Sequence, residues 1–161
     1  MASLFTFPNP VNEKAARVVA ACVLSMSVLA LVTGWYWLLV VLALGFLARV
    51  ATGPKLSPLG QLATRVVAPR LGAPKQVAGP PKRFAQSIGL VVTGTAAVCA
   101  LALGLTGTAD ALLVVMIAAA GLEAVAGVCV GCHVFALLMR VGAIPEGVCE
   151  SCRAWAPGTG A

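Results

Sequence analysis

From Val18 to Leu47 the chain carries no charged side chain. Carried on to Arg49, the stretch is 32 residues long, about 48 Å of helix against a hydrocarbon core of about 30 Å. One straight helix overshoots that thickness, so the stretch predicts a hairpin. Its turn falls at Gly34-Trp35-Tyr36-Trp37, an aromatic cluster suited to a membrane–water boundary. A second apolar block runs from Ile88 to Val141, broken near Gly104-Leu105-Thr106-Gly107-Thr108. Together the blocks predict spans near residues 17–33, 35–50, 86–105 and 110–132.

Composition excludes the main alternative. The chain is 60% hydrophobic and only 10% charged, where soluble domains carry about 25% charged residues. A soluble domain of this length hides only about 70% of its unfolded surface, which rules against a lone water-soluble enzyme. Val18–Thr33 has the length of a signal-peptide core, but no small-residue cleavage pattern follows it. The expected fold is all-α: an integral membrane four-helix bundle of two hairpins, forming one domain over residues 1–161.

Charge then orients the chain. Between Arg49 and Arg83 stand seven basic residues, Arg49, Lys55, Arg65, Arg70, Lys75, Lys82 and Arg83, and no acidic one. The opposite turns carry a single charge, Asp110. Short Lys/Arg-rich loops stay in the cytoplasm, so loop 51–85 is expected there, with both termini on the same side of a cell membrane. Six prolines interrupt this loop, yet Ser57-Pro58 reads as a helix start. Leu59, Leu62, Ala63, Val66 and Val67 then share one face, expected to rest among anionic lipid headgroups. Nucleic acid does not fit that charge, because stacking aromatics are not interleaved with it. No internal repeat is evident, and the sequence leaves a homo-oligomer open.

Six cysteines are present, four of them in two pairs: Cys129/Cys132 and Cys149/Cys152. The C-x2-C-x16-C-x2-C spacing falls in the range of zinc sites. The spacing also predicts that span four runs on as helix through Cys129 and Cys132 to Val141, placing both thiols on one face. A break at Gly142 and a short helix from Pro145 then form a C-terminal hairpin, residues 133–161, that returns Cys152 toward Cys132. On the cytoplasmic side thiols are kept reduced, which argues against permanent disulfides. It also argues against c-type haem at Cys129-Val130-Gly131-Cys132-His133 and against a disulfide generator serving the exported side.

Three readings stay open: dithiol–disulfide or persulfide chemistry, a structural zinc site of four thiolates, or three with His133, and plain packing of small apolar cysteines. His133 is expected to tune a thiol, to ligate metal, or to bond the backbone. Cys22 and Cys99 read as core residues. Glu123 is the one carboxyl deep in a span, where such groups tend to be functional; Arg17, Arg49 and neighbouring hydroxyls are its expected partners. Ala119, Glu123, Gly127 and Gly131 lie along one helical stripe, and Gly89, Thr93 and Ala97 along another, both suited to close packing.

Phe7-Pro8-Asn9-Pro10-Val11-Asn12-Glu13, Gly121-Leu122-Glu123-Ala124 and Cys129-Val130-Gly131-Cys132 together resemble the domain of unknown function 4395 family of bacterial membrane proteins. The resemblance extends over residues 7–153, and Cys149 and Cys152 fit that family's C-terminal cysteines. Relatives occur beside genes for thioredoxin-like and rhodanese-type sulfurtransferase proteins. The resemblance therefore implies a partner of that kind for Cys129, Cys132, Cys149 and Cys152, with His133 tuning them, and assigns no activity. A membrane scaffold clamped by zinc, and a small-solute transporter using Glu123, are the competing expectations.

Overall fold

A computed structural model describes Phe7 and residues 9–149; Cys152 and the end of the expected C-terminal hairpin lie outside them. The chain is almost wholly helical. Asn12 begins helix α1 (Glu13–Thr33), its Oδ1 accepting the Lys14 N–H at 3.0 Å, which satisfies one of the unpaired donors at a helix start. Gly34 ends α1 with φ +67°, a left-handed conformation that costs glycine least. The turn delivers the chain to α2 (Trp37–Thr52), as the aromatic cluster predicted.

Next comes a broken stretch of short helix. Helix α3 (Pro58–Leu62) starts where the Ser57-Pro58 pair predicted, with Ser57 Oγ accepting the Gly60 N–H at 3.2 Å. It widens into a π-helical segment (Ala63–Val67) and ends in α4 (Ala68–Arg70). The residues of the predicted apolar face are divided between its two sides. Gly60, Ala63 and Ala68 are buried, whereas Leu62 and Val66 face outward with Arg65 and Arg70. Small residues win the inner side because Gly60 abuts Pro54: a Cβ there would stand 2.9 Å from the proline Cα.

Helix α5 (Gly79–Ala97) continues through a π-turn to Ala102, and α6 (Thr106–Gly121) through another to Ala126. Helix α7 (Val130–Arg140) follows a break at Gly127, and a single 3-10 turn (Glu146–Val148) follows the expected break at Gly142. Two short strands that hydropathy did not reveal, β1 (Val11–Asn12) and β2 (Gln76–Val77), pair antiparallel.

Two long-range contacts fix the packing. Tyr36 Oη donates to Asp110 at 2.9 Å at one end, and Lys82 meets Glu123 at 2.5 Å at the other. Helices α1, α2, α5 and α6 therefore alternate in direction. One apolar cluster near the first end joins Ala30, Leu39, Ala96, Cys99, Ala109 and Leu113. The other joins Val19, Val23, Leu42, Phe46, Met116 and Ala120. Cys99 takes the core place expected of it, and Cys22 is half-buried.

Three helices are long and apolar enough to cross a membrane: Glu13–Thr33, Gly79–Ala102 and Thr106–Ala126. Helix α2 has 16 residues, about 24 Å of rise. Gly89 brings α5 hard against it, since a Cβ there would lie 2.4 Å from the Phe46 ring. The predicted small-residue stripe on this helix is thus a packing surface.

Candidate functional site

The predicted fourth span does not run unbroken through the cysteines. Gly127, at φ +70°, closes α6 in the left-handed conformation and turns the chain. Arg17 of α1 holds that end: its Nη2 donates to the carbonyls of Ala124 and Val125 at 3.2 and 2.7 Å, and its Nε to Ala124 at 3.3 Å. Carbonyls at a helix C-terminus lack intrahelical partners, and a cation suits their dipole. The turn frees Cys129 to adopt an extended conformation as the cap that begins α7.

This changes the chemistry available to the first pair. Cys129 Sγ accepts the backbone N–H of Cys132 at 3.3 Å, and the two sulfurs form a disulfide. A sulfur at a helix N-terminus lies at the positive end of the dipole, where a thiolate is favoured. Cys129 is buried at 6% exposure, while Cys132 is only half-buried. An incoming nucleophile therefore meets Cys132 first.

His133 takes the backbone role among those expected. Its Nδ1 donates to the Cys129 carbonyl at 2.9 Å, and its own N–H reaches the same oxygen at 3.2 Å. It steadies the cap and is itself exposed. Helix α7 leans on α5 through Gly131, which meets Ala85, and through Phe135, whose ring centroid is 5.5 Å from that of Phe84.

Cys149 is buried and disulfide-bonded, while Cys152 is not among the described residues. Among those residues no group of three or more His, Cys, Asp or Glu side chains is placed to hold a metal ion.

Glu123 has a partner that sequence reasoning missed. Its Oε1 pairs with Lys82 Nζ at 2.5 Å, with the side chains 16% and 7% exposed respectively. Arg17 is occupied by the α6 carbonyls, and Arg49 by Gln86 and Ser57. No local pattern links positions 41 apart; the lysine at the start of α5 was readable only as part of the basic loop. The motif around Asn9 and Asn12 also gains a role. Asn9 Oδ1 accepts the Gly79 N–H at 3.1 Å, Asn12 caps α1, and Glu13 pairs with Lys75 at 2.7 Å.

These features define an all-helical chain with three helices of membrane-crossing length and apolarity, and a bridged cysteine pair at the start of a further short helix. The chain belongs to the family described as "Domain of unknown function (DUF4395)", whose model matches residues 11–140. No curated protein and no solved structure matches it significantly.

Proposed function

We propose that the protein is a multi-pass membrane protein whose Cys129/Cys132 pair exchanges disulfides with a thioredoxin-like dithiol protein on the cytoplasmic side. The observation that carries this reading is the bridged pair at the N-terminus of α7. Membrane residence is supported by outward-facing Val32, Leu44, Val91, Val115 and Val125, each at least 58% exposed, on a scale that isolated soluble proteins avoid. With α2 as the fourth span, the Lys/Arg-rich stretch and both cysteine pairs lie on the inner side.

The exchange balances as follows. A thiolate of the partner's reduced dithiol attacks Cys132 Sγ; the S–S bond breaks, a mixed disulfide forms, and Cys129 leaves as thiolate. The α7 amides stabilise that leaving group, which speeds exchange. The partner's second thiolate then displaces Cys132. The partner ends as a disulfide, and the Cys129/Cys132 pair has gained two electrons and takes up two protons. Transfer of sulfane sulfur from a sulfurtransferase persulfide uses the same attack in reverse: a free cysteine thiolate takes the outer sulfur and the partner leaves as thiolate. Cys149 and Cys152 supply a second pair for onward exchange.

Alkylation mapping by mass spectrometry tests the reading on the full chain in detergent. Cys129 and Cys132 should be protected as purified, labelled after reduced thioredoxin is added, and protected again after oxidised thioredoxin. Cysteines that never change state with either partner form overturn it.

A further inference from the structure

A cavity of about 330 Å³ opens between the starts of α1 and α5, the end of α2 and helix α3. Its polar wall is Asn12, Arg49, Thr64, Gln76, Lys82 and Gln86, with no acidic residue in the lining. Apolar side chains such as Val11 and Val19 complete it, and exposed Pro10 and Gln76 rim the mouth. Arg49 is 5% exposed. Its Nε donates to Gln86 Oε1 at 2.8 Å and its Nη1 to Ser57 Oγ at 3.4 Å, while the guanidinium carbon stands 4.5 Å over the Phe46 ring. Its buried Nη2 has no hydrogen-bond partner.

Burying a cation without a contacting ion-pair partner is costly. Among the described residues the Glu123 carboxylate pairs with Lys82 and acts on Arg49 only from farther off, so Arg49 forms no ion pair of its own. A buried guanidinium with an unused N–H edge, beside amide and hydroxyl side chains, matches a phosphate oxyanion, which accepts several hydrogen bonds at once. The geometry points to this cavity as a phosphate-binding site, with Arg49 Nη2 as its principal donor and Lys82, Gln86 and Thr64 around it. The site is separate from the cysteine pair and stands whether or not that pair exchanges disulfides. The phosphate comes from an anionic lipid headgroup or from free phosphate in solution.

Thermal unfolding of the full chain in an uncharged detergent separates these sources. Inorganic phosphate is titrated against chloride at equal ionic strength, and phosphatidylglycerol against phosphatidylcholine. A ligand that binds only the folded state raises the midpoint saturably. A rise with phosphatidylglycerol alone assigns the headgroup, and a rise with inorganic phosphate assigns the free anion. Arg49→Gln should abolish the rise. Should that variant fail to fold, Gln76→Glu keeps the shape of an exposed rim residue and adds a like charge near the mouth, weakening binding about tenfold. The assignment is overturned if neither probe exceeds its control, or if a folded Arg49→Gln or Gln76→Glu binds as the parent does.

Discussion

Gly131 of α7 lies so close to Ala85 of α5 that a Cβ on the glycine would stand 2.5 Å from the alanine Cβ. The contact sets where the cysteine cap sits, because Gly131 falls between Cys129 and Cys132. Gly131→Ala should cost about 1–3 kcal/mol of stability, the usual penalty for overfilling a packed contact. Adding Ala85→Gly to that variant should recover little of the loss, because the Ala85 Cα itself would stand 2.6 Å from the new Cβ. Thermal unfolding of both proteins checks this, and full recovery in the double variant would show that the alanine methyl alone makes the contact.

The Lys82–Glu123 pair makes a second expectation. Lys82→Ala should lower stability by about 3–5 kcal/mol, because it strands a mostly buried carboxylate. Replacing both partners, Lys82→Met with Glu123→Leu, should restore most of that, since apolar substitutes of similar size avoid the desolvation cost. Denaturant midpoints of the single and double variants decide it. A single variant as stable as the parent would show the pair to be solvated.

Arg17 is predicted to govern the end of α6. Arg17→Ala removes donors to Ala124 and Val125 and should cost about 1–3 kcal/mol, the range for hydrogen bonds to charged groups. Hydrogen exchange should quicken first at residues 122–128 and spare α2. Uniform quickening along the chain would contradict a local role.

Ser57 serves two neighbours at once, accepting from Gly60 and from Arg49. Ser57→Ala should therefore lose about 0.5–2 kcal/mol through the cap alone. Ser57→Asp should keep the cap and add an anion beside Arg49, leaving stability at or above that of the parent. Unfolding curves of the two variants test the pair of expectations.

Much of this architecture was legible because local chemistry enforced it. Gly34 and Gly104 both adopt positive φ at the two turns that span length demanded, and Ser57-Pro58 started its helix where cap and proline agree. Gly89 sits on α2 as its stripe implied. The break before Cys129 was hidden because the residues around Gly127 remain apolar, so hydropathy runs on where the backbone turns. A glycine two positions before a residue able to cap with its side chain was the available signal. Lys82 and Glu123, and Val11 and Val77, meet only through the tertiary fold, which periodicity along one segment does not encode. Leu62 and Val66 follow helical spacing and face outward, whereas Ala63 of the same set turns inward, because Gly60 and Ala63 permit a closer approach.

The pairing of Val11 with Val77 and Asn12 with Gln76 works as a latch. It closes the first half of the chain into a ring that contains α1 and α2, and α5 leaves the ring beside the point where α1 begins. Asn12 and Gln76 also belong to the wall of the cavity over Arg49, so its width is set by the latch. Access to the buried guanidinium and the spacing of the two helix starts are therefore one mechanical variable: unzipping two residue pairs would loosen both together.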